Sequence, residues 1–279
     1  DNICFRSVVS WNSLISGYSQ QGQGHEALQC FEQMQNEGFS PDVVTFICVL
    51  KACSSIGSLH KGKEIYDEIV RRGMLDKNII LGTALMDMYS KCGMMSKSQQ
   101  VLDEIPIRTV VSWNSLISGY AQMGQSREAL NCFEWMQSEG LLPDVSTFTC
   151  ILKACGQAGD IDKGKLIHEE ISSRGLVGKD NMIGTALIDF YAKCSMLGKA
   201  QEVFNELPCR DVISWSALMD GYAQMGEAEK VIENFNKMMI EDVIPDVVTF
   251  LVLLTACNHA GLLAKGLMVF NAMYSSYAV

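Results

Sequence analysis

Histidine and cysteine are the residue types in this chain that could hold a metal ion or act in catalysis. The chain has 4 histidines and 11 cysteines. The string HEE, which begins at His168, has the H-x-E spacing that zinc-dependent deaminases use for a metal ligand and a general acid–base. The P-C-x-x-C half of such a site is missing, and no C-x-x-C pair occurs in the sequence. With no phosphate-binding glycine loop or nucleophile–base set either, we expect no catalytic residue, metal or cofactor.

Most cysteines recur at matching places in the sequence instead of forming ligand clusters. Cys53, Cys155 and Cys257 end the strings KAC, KAC and TAC, while Cys92 and Cys194 both follow a lysine. This recurrence is typical of cysteine used as a small buried apolar residue, and it favours a reducing compartment.

Charge and hydropathy limit the possible functions. The formal net charge is −10, which opposes binding to the phosphates of a nucleic acid. Hydrophobic residues make up 48% of the chain and charged residues 19%, as in a folded protein. The longest apolar stretch, from Val243 to Cys257, is interrupted by Pro245 and Asp246, so we expect no membrane span.

The chain repeats itself with a period of 102 residues. The string VVSWNSLISGY begins at Val8 and again at Val110, and a changed copy, VISWSALMDGY, begins at Val212. Each period divides into segments of 35, 36 and 31 residues. The predicted repeats are residues 8–42, 43–78, 79–109, 110–144, 145–180, 181–211 and 212–246, with the end of another repeat at 1–7 and an incomplete one at 247–279.

Each repeat is predicted to fold as two short helices. In the first repeat Trp11, Leu14, Ile15 and Tyr18 share one helix face, and Gly22 ends the run. A second amphipathic run follows before the next repeat begins. One such helix pair is too small to bury its apolar face alone, so neighbouring pairs must stack, and we expect this stripe to form the core.

Two positions stay polar in all the 35- and 31-residue repeats. The fifth residues are Asn12, Thr83, Asn114, Thr185 and Ser216, and the last residues are Asp42, Thr109, Asp144, Asp211 and Asp246. The first two 35-residue repeats are identical at 26 positions, so a residue that differs between such similar repeats is informative. A recognition role is one interpretation. The other is that the last residue caps the next helix and the fifth is an ordinary first-turn residue.

The pattern VVSWNxLIxGYxxxGxxxEALxxFxxMxxxGxxPD resembles the pentatricopeptide repeat. The 35, 36 and 31 lengths resemble the P, L and S repeats of the plant PLS subclass, with FICVLKACSSIGSLHKGKEIYDEI similar to an L repeat and LGTALMDMYSKCG to an S repeat. This resemblance implies an all-α fold, a right-handed α-solenoid superhelix of stacked helix-turn-helix repeats.

In that family each repeat binds one base of single-stranded RNA through a few side chains. The resemblance assigns base reading to the fifth and last residues of each repeat, which we call the reading pair. Asn with Asp implies U, and Thr or Ser with Asp implies G. Thr83 with Thr109 departs from the standard pairs of the family, and we expect it to favour a purine. Together these assignments give 5′-U-N-R-U-N-G-G-3′. In the L repeats Ile47 and Leu251 cannot hydrogen-bond to a base, whereas Thr149 with Asp180 would add a weak preference for G.

The resemblance also implies that the second residue of each repeat packs against the faces of the bases. These residues are Val9, Ile80, Val111, Met182 and Ile213. Ordinary packing in the protein core accounts for their apolar character equally well.

The expected function is target recognition in an organellar C-to-U RNA editing factor, in a mitochondrion or chloroplast. A deaminase-like domain would lie outside this segment, and a multiple organellar RNA editing factor is the implied protein partner. The alternatives are a protein-binding helical scaffold and an RNA-processing or RNA-stabilising protein without an editing role. The acidic charge predicts weak, salt-sensitive RNA binding, micromolar or weaker, and apolar repeat ends predict end-to-end association.

Overall fold

Short helices joined by tight turns form all the regular structure in the part of the chain described by the computed structural model, residues 7–262, 266–268 and 270. The predicted all-α fold is confirmed. The helices form two compact units, which divide between Pro143 and Asp144.

Among its described residues, 7–143, the first unit contains eight α-helices and a 3-10 turn at Leu75–Lys77. They are α1 Val8–Gln20, α2 Gly24–Asn36, α3 Val43–Ile56, α4 Leu59–Arg71, α5 Ile79–Lys91, α6 Met95–Glu104, α7 Val110–Gln122 and α8 Ser126–Ser138. In the described part of the second unit the helices are α9 Val145–Ala158, α10 Ile161–Ser173, α11 Asn181–Lys193, α12 Leu197–Glu206, α13 Val212–Gln224, α14 Ala228–Ile240 and α15 Val247–His259.

Within each unit the odd-numbered helices pack against one another in series. Helix α1 contacts α3, α3 contacts α5 and α5 contacts α7, while α9, α11, α13 and α15 form the equivalent series in the second unit. Each even-numbered helix packs against the odd-numbered helix before it. Helices α2, α4, α6, α12 and α14 also pack against the odd-numbered helix that follows. The predicted stacking of helix pairs is therefore present inside both units.

The odd-numbered helices begin at side-chain caps. The Asp42 carboxylate accepts a hydrogen bond from the Thr45 backbone N–H. In return, the Thr45 hydroxyl oxygen accepts one from the Asp42 backbone N–H. Asp144 and Asp246 cap α9 and α15 in the same way. Thr109 and Asp211 cap α7 and α13. The capping interpretation of the last residue is thus confirmed, and each cap contributes about 1 kcal/mol to helix stability.

The apolar stripe is only partly as predicted. Trp11 and Ile15 are buried, but Leu14 is 39% exposed, so its assignment to the core was wrong. The equivalent Leu116 is fully buried because its helix, α7, packs against α5 and α6 as well as α8. Among the described helices, α2 and α3 are the ones that pack closely against α1.

The cysteines follow the same division between core and edge. Cys53, Cys155 and Cys257 are buried as predicted, and burial raises the pKa of the Cys53 and Cys155 thiols to about 12. Cys92 and Cys194 lie at the ends of α5 and α11 and are only half-buried, so the prediction that they are buried holds only in part for that pair.

Candidate nucleic-acid interface

The first reading pair is joined by hydrogen bonds in the folded chain. The Asn12 amide nitrogen donates to Asp42 Oδ1 at 3.0 Å. The hydroxyl of Thr45 lies between them, 2.6 Å from Asn12 Oδ1 and 2.9 Å from Asp42 Oδ1. A threonine hydroxyl has one proton, so it donates to one of these oxygens at a time. The fifth residue, the last residue and the third residue of the next repeat therefore form one polar cluster.

This cluster holds Asp42 in its charged form. Burial raises the pKa of the Asp42 carboxyl, but the hydrogen bonds from the Thr45 backbone and from the side chains of Asn12 and Thr45 outweigh it, so the pKa lies below its ordinary value. Thr45 is completely buried and Asn12 is 8% exposed, whereas Asp42 is exposed. The carboxylate is thus the part of the cluster that faces solvent most openly.

The three 35-residue repeats, residues 8–42, 110–144 and 212–246, are called the first, second and third copies. The third copy forms a similar cluster with serine in place of asparagine. Ser216 Oγ lies 2.9 Å from Thr249 Oγ1, and Thr249 in turn lies 2.8 Å from Asp246 Oδ1. Ser216 is 6% exposed and Thr249 is fully buried. The shorter serine reaches the carboxylate through Thr249, whereas Asn12 contacts Asp42 directly, so the two copies present different hydrogen-bonding groups at the same place.

The reading pair of residues 181–211 is arranged differently. Asp211 accepts the Ser214 backbone N–H on Oδ1 at 2.9 Å and the Asn181 amide on Oδ2 at 3.3 Å. Burial raises the pKa of Asp211, but these hydrogen bonds outweigh it and leave the pKa lowered. Thr185, the other member of this pair, is half-buried on α11.

The remaining predicted residues occupy the same register. Thr83 is half-buried on α5 and donates to the Ile79 carbonyl at 3.0 Å, while Thr109 accepts the Ser112 N–H as the cap of α7. Asn114 is half-buried on α7 in the first unit. Asp144 is exposed at the start of the second unit and caps α9.

The L repeats contribute mainly apolar or internally bonded groups at the fifth position. Ile47 is half-buried and Leu251 is 58% exposed. The Thr149 hydroxyl donates to the Val145 carbonyl at 2.8 Å, and Asp180 accepts the Met182 backbone N–H.

The second residues of the repeats are exposed, which overturns core packing as an explanation for their apolar character. Their exposed fractions are 73% for Val9, 67% for Ile80, 60% for Val111, 60% for Met182 and 63% for Ile213. An apolar side chain held in solvent at a fixed register offers a surface for a flat apolar ligand face.

In the second unit several predicted residues line one open cavity of about 480 Å³. Met182 and Ile213 are the second residues of consecutive repeats, and Thr185 and Asp211 are the reading pair of the earlier one. Thr149 and Lys153 of α9 complete this side of the cavity. The cavity therefore combines apolar surfaces, hydrogen-bonding groups and one cation.

Sequence reasoning missed the residues that hold the reading pairs in place. Thr45 and Thr249 bridge two clusters, Asn181 orients Asp211, and Lys153 adds a positive charge to the cavity. A signal for the threonines is present: Asp-x-x-Thr follows the proline at 41, 143 and 245, which is a capping-box spacing. Nothing in the sequence pattern marks Asn181, because Ile79 stands at the equivalent position.

The HEE string lies on α10, where His168 Nδ1 is 2.7 Å from the Tyr191 hydroxyl. Burial lowers the pKa of this histidine. Within the described ranges no group of three or more His, Cys, Asp or Glu side chains is placed to hold a metal ion. None of the helices described is both long enough and apolar enough to cross a membrane.

Comparison with protein families identifies the repeats. The PPR repeat family model matches residues 6–55, 108–157 and 210–259, and the PPR repeat model matches residues 44–74, 83–108, 146–176, 185–212 and 248–276. A pentatricopeptide repeat-containing protein of Arabidopsis thaliana is 39% identical over 97% of this chain, and the match covers 48% of that relative. A putative mitochondrial pentatricopeptide repeat-containing protein of the same plant is 34% identical over 98% of the chain and is 45% covered. The chain thus spans about half the length of these relatives.

A solved structure has the same fold. The crystal structure of the pentatricopeptide repeat protein PPR10 in complex with an 18-nt psaJ RNA element superposes with a TM-score of 0.77 at 21% identity. The superposition covers 97% of this chain and 40% of the other. The crystal structure of the pentatricopeptide repeat protein PPR10 from maize superposes with a TM-score of 0.75 at 22% identity. The matched family models, together with the stacked helix pairs, establish that the chain belongs to the pentatricopeptide repeat family.

Proposed function

We propose that this chain binds single-stranded RNA in a sequence-specific manner, with about one base for each repeat. The observation that carries the proposal is the cavity of the second unit, which Met182 and Ile213 line together with the pair Thr185 and Asp211. A base held between the two apolar side chains would have its faces covered and its edge next to the reading pair. Pentatricopeptide repeats read RNA in this one-base manner.

The polar clusters supply the selectivity in this proposal. The Asp211 carboxylate accepts hydrogen bonds, so it favours the N–H groups of guanine at the sixth position. Asn12 gives one amide hydrogen to Asp42 and keeps the other, which suits a uracil carbonyl at the first position. Since Asn12 is 8% exposed, the base would have to approach the edge of the cluster from the side of Asp42.

The wider role is that of an RNA-recognition module. We assign the chain to the PLS type with P repeats at 8–42, 110–144 and 212–246, and its target to 5′-U-N-R-U-N-G-G-3′. The role we favour is target recognition in C-to-U editing, with a multiple organellar RNA editing factor as partner and no catalytic residue in this chain. Relatives named as mitochondrial or chloroplastic and the RNA in the PPR10 complex support an organellar RNA-binding role.

The net charge of −10 restrains the affinity. Counterion release from phosphates supplies much of the free energy of RNA binding, and an acidic chain gains little of it. Apolar contacts with the base faces must therefore carry a large share, and we expect a Kd in the micromolar range or weaker.

A mobility-shift titration at low salt tests the proposal. One RNA carries U at positions 1 and 4 and G at 6 and 7, and its control replaces each U by A and each G by C. Tighter binding of the first RNA supports the assignment. Equal affinity for the two RNAs contradicts sequence-specific reading, and binding of neither RNA favours the protein-binding scaffold.

A further inference from the structure

A second cavity, of about 550 Å³, lies in the first unit and contains none of the predicted reading residues. It is lined by α6, α7, α8 and the turn before α7, with Asp103, Arg108, Trp113, Glu128, Trp135 and Glu139 among the residues of its wall. We infer that this cavity is a docking site for an arginine side chain of a basic protein segment.

Trp135 provides the first argument. It is 52% exposed, whereas Trp11, Trp113 and Trp215 are each 5% exposed or less. The corresponding residues of the other two copies are Gln33 and Lys237, so an exposed indole at this place is peculiar to the second copy. A planar guanidinium stacks well on an exposed indole face, and the attraction between the cation and the ring adds to the contact.

Charge provides the second argument. The wall has three carboxylates, Asp103, Glu128 and Glu139, against the single cation Arg108. Glu139 is occupied, since Oε1 lies 2.6 Å from Arg108 Nη1 and Oε2 accepts the Trp113 indole N–H at 2.8 Å. Arg108 lies 3.6 Å from Asp103, so one guanidinium is already held here between carboxylates. Glu128 is exposed and remains available to a second cation.

The third copy shows the same surface with its charge reversed. Asp103, Glu128 and Trp135 are replaced there by Asn205, Lys230 and Lys237. Both lysines pair with Glu233, at 2.9 and 2.8 Å, so that copy supplies its own cations. In the second copy Asn131 stands in place of Glu233, and neither lysine is present beside the exposed Glu128, which makes a cation from outside the natural occupant. The same negative charge repels the RNA backbone and separates this site from the reading pairs.

Fluorescence polarisation with a labelled peptide, acetyl-Gly-Arg-Gly-Arg-Gly-amide, tests the inference, with the Arg→Gln peptide as control. We expect saturable binding of the arginine peptide and no saturable binding of the control peptide. Trp135→Gln, which installs the residue of the first copy, should weaken binding roughly two- to fivefold, as expected for loss of a cation–π contact at an exposed site. Glu128→Gln should weaken it as well, and Lys237→Gln in the third copy should leave it unchanged.

Helix content and Tm are compared first, so that every variant tested is folded. Absence of saturable binding to the wild-type chain overturns the inference, as does equal binding by Trp135→Gln. RNA affinity is measured in parallel, and it should not change in Trp135→Gln. A loss of RNA affinity equal to the loss of peptide affinity would place this surface in the RNA site and overturn its assignment to a protein.

Discussion

The Asn12 amide donates a hydrogen bond of 3.0 Å to the Asp42 carboxylate, although 30 positions separate the two residues in the chain. Asp42 also caps α3, so one carboxylate ends a repeat, starts the next helix and fixes the side chain proposed to read a base. Because these roles share one residue, the proposed base specificity is coupled to the architecture of the repeat.

Thr45→Val should weaken base selection at the first position. The substitution keeps the shape of the side chain and removes the hydroxyl that contacts Asn12 and Asp42. Losing one hydrogen bond of about 0.5–1.5 kcal/mol should lower the preference for U over G by roughly two- to tenfold. Competition binding with RNAs that differ only at the first base measures the effect.

Thr149→Val is the matched control for Thr45→Val. Its hydroxyl donates to the Val145 carbonyl of its own helix and serves no reading pair in the 35-residue repeats. The control should leave the first position unchanged. An unaltered preference in Thr45→Val would mean that Thr45 has no part in positioning Asn12.

Asp211→Asn should reduce stability at neutral pH and lose this effect in acid. The pKa of Asp211 is lowered in the folded chain by the Ser214 and Asn181 hydrogen bonds, which outweigh burial. The unfolded state therefore binds more protons below a pH of about 4, the ordinary value for aspartate. The contribution of Asp211 is complete above that pH and is lost as the pH falls towards the folded pKa.

Urea unfolding followed by helix content measures this pH dependence. The difference in midpoint between wild type and Asp211→Asn should shrink as the pH falls below about 4. Asp67→Asn, at an exposed site on α4, controls for the general loss of negative charge. A midpoint difference that stays constant across this window would contradict a lowered pKa for Asp211.

Gly164→Ala should destabilise the second unit more than Gly62→Ala destabilises the first. A Cβ atom at Gly164 would lie 2.0 Å from Cζ of the Phe190 ring, whereas at the equivalent Gly62 it would meet the end of the Met88 side chain at 2.6 Å. A methionine terminus can move aside, but a buried ring cannot do so easily.

The expected loss for Gly164→Ala is about 1–3 kcal/mol, as for other overpacked cores. Alanine regains part of this through its better helix propensity, about 1 kcal/mol. Thermal unfolding of the two variants measures the difference. Equal Tm values would show that the close packing of α10 on α11 is not what requires glycine.

Lys153→Gln should weaken RNA binding without changing the preferred sequence. Lys153 lines the cavity with Thr185 and Asp211, and a cation near a base pocket serves the phosphates. The slope of log K against log salt should fall by about 1 in magnitude. Lys165→Gln, on the exposed side of α10, should leave the slope as it is. A changed base preference in Lys153→Gln would assign it to base recognition instead.

Local chemistry explains what could be predicted from the sequence. The period of 102 residues, helical spacing and capping residues such as Asp42 act over short distances, and they predicted the helix pairs and their starts. The outcome at Leu14 depends on which helices pack beside α1, and this is absent from the local pattern. The same holds for Asn181, which reaches Asp211 only because the chain turns back after 30 residues.

The second residues of the repeats show most clearly what could not be predicted from the sequence alone. Val9 and Met182 are apolar and lie in the first turn of a helix, a pattern that fits the core as well as it fits a ligand surface. Their exposed fractions of 73% and 60% distinguish the two, since a core residue would be buried. Exposure depends on the stacking of neighbouring helices, so it could not be read from spacing alone.

The central claim is that the fifth residue of a repeat selects a base, and Asn114→Ser tests it most directly. Serine occupies the same position in the third copy, at Ser216, so the fold accepts it. Binding is measured for wild type and variant against two RNAs that differ only by U or G at the fourth position. We predict that wild type prefers U and the variant prefers G, with the other positions unchanged. Equal affinity of both proteins for both RNAs would contradict it.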